Sequence, residues 1–239
     1  MRKVFLSILF ILFFSTISRA VHFEGPATQY SVVMTHLEMC ETGSTDAVCL
    51  NPVTIVTGES GSIDIANTAS GAAAASYGNL ASINFGVSYS YMQVILKRQI
   101  TIAGTVSDGS NTCRTDGNNS VISKHVAGKT SGTASTITLY MGDTTANNGD
   151  NTNSVSAGDG TGTAQDAGTV DDDDEFFQVR GAFTKNIKLE PGKIPTLKLA
   201  FGTSGALGYE GSSGGCAATI GQTQGLYGAK PDVTATVVD

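Results

Sequence analysis

Apolar and polar residues alternate along Val87–Val106, the longest such stretch in the chain. Because successive side chains of a strand point to opposite faces, this pattern predicts a long strand with one buried face. Arg98 interrupts the apolar parity, and an unpaired buried charge is unfavourable, so we expect it at a bend or beside an acid. The aliphatic parity comprises Met92, Val94, Leu96, Ile100 and Ile102, and the polar parity comprises Tyr91, Gln93, Lys97, Gln99 and Thr101.

Shorter segments rich in β-branched and aromatic residues recur between glycine-rich turns, and no long helical periodicity is present. Only Ser70–Tyr77 has the composition of a short helix. The fold class predicted is therefore all-β, as a two-sheet β-sandwich of jelly-roll or immunoglobulin-like type. The further strands expected are Tyr30–Met39, Val53–Val56, Ser62–Ala66, Ser82–Phe85, Thr136–Met141, Phe176–Thr184, Thr196–Phe201, Ala217–Ile220 and Val233–Val238.

Residues 142–175 depart from this pattern, because Gly, Asn, Thr, Ser and Asp leave almost nothing to bury. No Lys or Arg occurs from Thr130 to Val179, and the segment ends in the acidic run Asp171–Glu175. Burial cannot offset the entropy of ordering such a segment. It is expected to be a long exposed or disordered acidic loop that projects from the sandwich.

The first twenty residues have the pattern of a secretory signal peptide. Arg2 and Lys3 precede the apolar run Val4–Phe14, and Ser18 and Ala20 are small residues before the expected cleavage point. The run is too short for the roughly twenty residues of a spanning helix. We expect residues 1–20 to be cleaved and residues 21–239 to form one domain without a membrane span. That domain would be secreted, exposed at the cell surface or held in the periplasm.

The chain is acidic, with a formal net charge of −7. Loss of the leader changes this to −10, because the leader holds three positive residues and no negative ones. Such a charge disfavours nucleic-acid partners. Lysines 185, 188, 193 and 198 follow the acidic run, an asymmetry that either favours head-to-tail association of subunits or simply balances a solvated surface.

Four cysteines in an oxidising compartment favour two disulfide bonds, for which three pairings exist. Cys40 and Cys49 flank a polar loop, so we pair them, which leaves Cys113 with Cys216. Chain entropy sets upper limits of about 2.7 kcal/mol for the short closure and about 4.7 kcal/mol for the long one. The long closure favours a single domain. A zinc site is disfavoured, because no close Cys-x-x-Cys pairs are present.

The acidic run is the clearest candidate for a metal site. Asp171, Asp172, Asp173 and Asp174 offer the carboxylate oxygens that Ca²⁺ prefers, although no EF-hand spacing is present. The alternative is a solvated, self-repelling loop. His36 and Glu38 share one strand parity and form a weaker metal candidate, to which His22 and His125 would add further ligands.

Two tyrosines, Tyr89 and Tyr91, lie on the polar parity of the long strand. They are candidates for an exposed aromatic binding face, and the alternative is that they cover the sheet. The stretch Gly211–Gly215 is interpreted as turns around Cys216, and no Gly-x-x-x-x-Gly-Lys-Ser/Thr phosphate loop occurs, so we do not expect an enzyme.

Two functional hypotheses follow. The first is a structural or adhesive surface protein, in which Val233–Val238 complements a neighbour's sheet and builds an extracellular filament. Its partner would be another copy of the chain. The second is a secreted module that binds Ca²⁺, a surface glycan or a surface protein through the acidic loop and the tyrosines.

Overall fold

A computed structural model describes fifteen strands and no helix within the residues it covers. The sheets are mainly antiparallel and consistent with a β-sandwich, which confirms the all-β class. The described residues are 21–45, 48–67, 83–118, 125–141, 155–158, 176–188, 190, 196–211, 216–217, 224–229 and 231–238.

The strands form one large sheet and one small sheet in the described part of the chain. Their bounds are β1 Val21–Gly25, β2 Ala27–Glu41, β3 Val53–Thr57, β4 Ser62–Asp64, β5 Ser88–Lys97, β6 Gln99–Ser107, β7 Thr112–Thr115, β8 Gly128–Lys129, β9 Ile137–Tyr140, β10 Val155–Gly158, β11 Phe176–Lys188, β12 Thr196–Gly202, β13 Leu207–Gly211, β14 Gly225–Gly228 and β15 Asp232–Val238. The small sheet has the order β1-β13-β14. The large sheet runs β12-β15-β11-β5-β2-β6-β7-β8, with β3 and β4 also on β2, β9 on β6 and β10 on β11.

The large sheet bends at Arg98, which separates β5 from β6. The first half of β2 pairs with β6 and its second half pairs with β5, so both strands of the pair pass through the bend. Arg98 is 1% exposed, its Nε donates to the carbonyl of Met141 at 3.1 Å, and its guanidinium lies 5.2 Å from the ring centroid of Tyr140. The expected bend is confirmed.

Two apolar cores lie on the two parts of the bent sheet. In the first core, Leu207 and Leu226 of the small sheet pack with Ile100, Ile102 and Leu139 of the large one. Side chains from facing sheets thus fill one layer, as in a sandwich. The second core gathers residues of β2, β3, β5 and β11, namely Met34, Leu37, Met39, Ile55, Val56, Tyr89, Met92, Phe183 and Ile187, together with Ile83.

The sheets approach closely where the chain passes from β1 to β2. A Cβ on Gly104 would lie 2.5 Å from the carbonyl oxygen of Pro26, and one on Gly25 would lie 2.5 Å from that of Thr105. Two backbones can therefore cross here only because both positions lack a side chain.

Most strongly alternating segments form strands close to their predicted bounds, but four predictions need correction. Val87–Val106 is two strands rather than one. The other parity of β5 is also buried, since Gln93 is 2% and Ile95 0% exposed, so the expectation of a single buried face is wrong there. Residues 83–85 form no strand, because a turn with Gly86 at φ 80° precedes β5. Val155–Gly158, inside the expected loop 142–175, is strand β10 paired with β11.

The rest of the segment 142–175, the leader 1–20 and all of Ser70–Tyr77 lie outside the described residues, as does Ala217–Ile220 apart from Ala217. The leader and the acidic loop therefore stay predictions.

Candidate functional site

The C-terminal strand β15 occupies a slot between β12 and β11. It pairs antiparallel with β12 at seven consecutive positions, from Thr196↔Val238 to Gly202↔Asp232. With β11 it has one registered pair in the described residues, Phe183↔Ala235, and that pair is parallel. The junction between β15 and β11 is therefore much less extensive than that between β15 and β12.

The cause of the short junction is an irregularity in β11. Its pairing with β5 is regular from Phe176 to Ala182 and resumes at Ile187, so the register shifts between these two positions. Phe183, which contacts β15, lies within the shifted stretch. A bulge of this kind bends a strand and changes the direction of its edge, and among the described residues it accompanies a single registered pair between β11 and β15.

A ladder of polar side chains crosses the sheet next to this slot. Thr54, Glu38, Gln93 and Arg180 are register neighbours on β3, β2, β5 and β11. Thr54 Oγ1 donates to Glu38 Oε1 at 3.2 Å, and Gln93 Nε2 donates to Glu38 Oε2 at 2.6 Å. Arg180 donates from Nε to Gln93 Oε1 at 2.6 Å and from Nη2 to Gln178 Oε1 at 3.0 Å. We call these five residues the polar ladder.

The polar ladder is buried, since Glu38, Gln93, Arg180 and Gln178 are 5%, 2%, 8% and 0% exposed. Burial lowers the pKa of the Arg180 guanidinium, and the negative charge of Glu38 acts in the opposite direction. Charges in such a site are tolerated when hydrogen bonds satisfy them. The ladder links four strands by side chains and so favours one register of β11 against β5.

The ladder does not follow from the sequence pattern. Alternation predicts that Gln93 faces solvent, and the shared parity of His36 and Glu38 predicts a possible metal ligand at Glu38. Both carboxylate oxygens of Glu38 instead accept ladder hydrogen bonds, and His36 Nδ1 lies 3.3 Å from Thr35 Oγ1. The part of the chain that the structure describes holds no group of three His, Cys, Asp or Glu residues placed to bind a metal.

A second polar cluster lies on the small sheet around Tyr227. Its hydroxyl lies 3.0 Å from His22 Nδ1, and the ring of His125 packs 5.6 Å away. His22 Nε2 lies 3.6 Å from Glu24 Oε1. On the neighbouring strand, Glu210 is the register partner of residue His22. Two of the sequence-predicted histidines thus meet at one tyrosine, but they do not join His36.

Within this cluster, Glu210 has an unsatisfied carboxylate oxygen. Its Oε2 is buried without a hydrogen-bond partner among the described residues. Desolvation raises the pKa of its carboxyl, and the charge of His22 opposes that shift. The folded state therefore disfavours the ionised carboxylate.

Replacing Glu210→Gln is expected to stabilise the protein at pH 7. A raised folded-state pKa contributes stability below the unfolded pKa of about 4.3, and that contribution is lost as the pH rises through the folded value. The stability gained by Glu210→Gln should therefore shrink as the pH falls from the folded-state pKa of Glu210 towards the unfolded value of about 4.3. Denaturant unfolding at neutral and acidic pH measures it. Glu24→Gln, which removes a half-exposed charge from the same sheet, is the control and should not reproduce the gain.

Both predicted disulfide pairings are confirmed. Cys40–Cys49 closes the loop that follows β2. Cys113–Cys216 joins β7 to the chain between β13 and β14, and it therefore ties the small sheet to the large one. Gly128 N donates to the carbonyl of Cys216 at 2.7 Å beside this link.

The predicted binding residues have different outcomes. Tyr89 is 0% exposed, packs in the second core and accepts a hydrogen bond from Asn84 N, so its place in an exposed aromatic face was wrong. The reason is a register shift between Cys40↔Tyr91 and Glu41↔Tyr89, which moves Tyr89 to the opposite parity. Tyr91 is half-buried, and its role in binding stays a prediction.

Asp171, Asp172, Asp173 and Asp174 lie outside the described residues, so the Ca²⁺ site also stays a prediction. Among the described residues no helix is long and apolar enough to cross a membrane. No protein family, no curated protein and no solved structure was found to match the chain.

Proposed function

We propose that this chain is a secreted or cell-surface structural or adhesive protein whose copies assemble by exchanging the C-terminal strand β15. The observation that carries the proposal is the position of β15 between β12 and β11, with a single described pair to β11. In an assembly, β15 of one copy would fill the same slot in the next copy.

Exchange of an identical strand is inexpensive in free energy, because the pairs formed between copies replace the same pairs within one copy. Pro231 directly precedes β15, and it favours an extended connection at the point where the chain would have to open. A head-to-tail exchange whose rotation does not close into a ring extends into a filament.

Several finer predictions belong to this proposal. They are the cleaved leader 1–20, the location outside the cytoplasm, the jelly-roll or immunoglobulin-like type of the sandwich and the exposed acidic loop. Two disulfide bonds support an oxidising compartment.

A cysteine pair across the slot tests the exchange. Leu199 and Ala235 are register partners, so Leu199→Cys with Ala235→Cys should form a disulfide bond. The four native cysteines are already paired and should not interfere. If β15 is exchanged, the new bond joins different chains, and non-reducing gels should show a ladder of covalent oligomers that grows with protein concentration.

A matched pair, Thr101→Cys with Thr138→Cys, joins β6 to β9, which are not exchanged, and should link only within one chain. Electron microscopy of the same samples should show filaments. Filaments in which the Leu199–Ala235 link stays within each chain would refute strand exchange. Monomers at every concentration would refute assembly itself.

A further inference from the structure

Exposed large apolar side chains are confined to one end of the large sheet. In the described part of the chain they are Val48, Leu50 and Phe85, which are 50%, 41% and 62% exposed. Val48 and Leu50 lie in the loop between β2 and β3, and Phe85 lies in the turn before β5. We call these three residues the apolar tip.

The two parts of the apolar tip are held side by side. Thr42 N and Oγ1 both donate to the carbonyl of Ser88, at 2.8 and 2.9 Å. Phe85 precedes Ser88 by three residues, so it lies within about 10 Å of that contact. The loop and the turn therefore present their apolar side chains at the same end of the sheet.

Bonds on both sides of Val48 and Leu50 hold the described part of their loop in place. The Cys40–Cys49 disulfide closes it. Ser44 Oγ donates to the carbonyl of Glu41 at 2.6 Å and accepts from Leu50 N at 2.9 Å. Exposing apolar side chains on a pre-ordered loop is unfavourable in water, and such patches usually mark a binding surface.

Lysines flank the apolar tip in this otherwise acidic protein. Lys188 is the register partner of Ser88, and Lys185 lies in the irregular stretch of β11 just before it, and both are exposed. Two acids are near among the described residues: Glu41 accepts a hydrogen bond from Asn51 Nδ2 at 2.9 Å, and Glu190 follows Lys188 by two residues. A third acid, Asp46, precedes Val48 by two residues in the sequence and lies outside the described residues.

We propose that the apolar tip inserts into the interface of a lipid bilayer, with Lys185 and Lys188 against the headgroup phosphates. Three side chains are far fewer than the roughly 20–30 residues that each partner contributes to a stable protein interface. They suffice for shallow insertion, in which apolar side chains reach the acyl boundary and long lysine side chains stay at the headgroups.

The acidity of the whole chain does not oppose this contact at physiological salt. Charges farther than a Debye length of about 8 Å are largely screened, whereas the lysines would touch the surface. Membrane insertion is independent of strand exchange. Strand exchange rests on a strand that is paired in a slot, whereas membrane insertion rests on a surface that no described strand covers. It supplies a way in which a surface protein could be held at a membrane without a spanning helix.

Vesicle co-sedimentation of the secreted protein tests the proposal, with phosphatidylcholine alone and with phosphatidylcholine containing phosphatidylglycerol. Binding to both is expected, and binding to the anionic vesicles should be tighter at low salt. Replacing Val48, Leu50 and Phe85 by serine should weaken binding to both at least tenfold, as an order-of-magnitude expectation. Replacing Lys185 and Lys188 by glutamine should remove only the anionic preference, at about fivefold per lysine.

Lys129→Gln, in strand β8, removes one positive charge away from the tip; it is the single-lysine control and should bind as the unsubstituted protein does. The substituted tip residues are exposed, so thermal unfolding of the serine variant should be unchanged, and that result would separate loss of binding from misfolding. The proposal is overturned if the unsubstituted protein binds neither vesicle, or if the serine variant binds as well as it does. A serine variant that alters self-association but not lipid binding would likewise overturn it, in favour of a protein contact.

Discussion

Replacing Arg180→Met should lower the free energy of unfolding by about 3–5 kcal/mol, the usual effect of removing one partner from a buried ionic network. The substitution leaves the Glu38 charge buried without the guanidinium that acts on it, and it removes the donors to Gln93 and Gln178. Since folded domains are stable by only about 5–15 kcal/mol, this is a large fraction of the total. Chemical denaturation measures it.

A combined variant tests whether the residues of the polar ladder act as a network. Glu38→Leu, Gln93→Leu and Arg180→Met together remove every charge and the central amide, and buried ionic groups exchanged as a set for apolar ones are often tolerated. The combined variant should therefore be no less stable than Arg180→Met alone. A loss equal to the sum of the three single losses would show that the residues act independently.

A matched substitution separates this effect from the loss of any arginine. Arg114→Met removes a more exposed guanidinium, one that donates to the carbonyl of Thr130 at 2.9 Å. Surface substitutions of this kind change stability by about 0.5 kcal/mol or less. Arg180→Lys should lie between the two, because the ammonium keeps the charge but lacks the planar fork that reaches both glutamines.

Strand β11 carries part of the polar ladder and also forms one side of the slot that holds β15, so we expect the ladder to affect assembly. Arg180 fixes the regular part of β11 against β5, whereas the stretch after Ala182 shifts register and receives β15. When β11 keeps one register against β5, it presents the same edge to β15 in every copy of the chain. Weakening the ladder should therefore disturb the slot, even though none of its residues is a register partner of β15.

Composition and alternation together predicted several strands of the large sheet. Strands β2, β3, β9, β12 and β15 begin and end within three residues of their expected bounds. The disulfide pairing also followed from the sequence, because a nine-residue separation around a polar loop fits a local closure. In both cases local residue order is sufficient to determine the structure.

The strands of the small sheet were missed for a physical reason. Gly208 and Gly228 suggest turns in the sequence, but they allow close packing in the structure. A Cβ on Gly208 would overlap the ring of Tyr227, and one on Gly228 would lie 2.5 Å from Ile100 Cδ1. A glycine selected for space is indistinguishable, in one sequence, from a glycine selected for flexibility.

The ladder and the burial of Tyr89 could not be predicted because both depend on partners distant in sequence. Gln93 is polar, so the sequence pattern predicts that it faces solvent. In the folded structure, Glu38 and Arg180 satisfy its amide and allow it to be buried. The parity of Tyr89 depends on a bulge that has no marker in the sequence of β5. Periodicity reports the face of a strand but not what covers that face.

Replacing Cys113→Ala with Cys216→Ala should lower the free energy of unfolding more than opening the short Cys40–Cys49 disulfide does. The closed loop spans a sequence separation of 103, for which chain entropy gives an upper limit of about 4.7 kcal/mol. Alanine is the appropriate replacement, because both cysteines are buried and a serine hydroxyl would need a partner there.

The short disulfide is the internal control for this prediction. Cys40→Ala with Cys49→Ala opens a loop with a separation of nine, whose limit is about 2.7 kcal/mol. The difference of about 2 kcal/mol should appear in denaturant unfolding under non-reducing conditions. Equal losses, or a larger loss for the short loop, would mean that closure entropy is not what the long disulfide contributes.

Hydrogen exchange locates the effect of the long disulfide. The small sheet is also joined to the large one by the shared first core, by the passage from β1 to β2, and by backbone contacts such as the mutual hydrogen bonds of Val126 and Leu226 at 2.9 and 2.8 Å. Without the Cys113–Cys216 link, amides of β13 and β14 should exchange faster through local opening, while those of β2 and β5 should change only with global stability. Uniform acceleration across all four strands would show instead that the two sheets unfold as one unit, with the disulfide stabilising the sandwich as a whole.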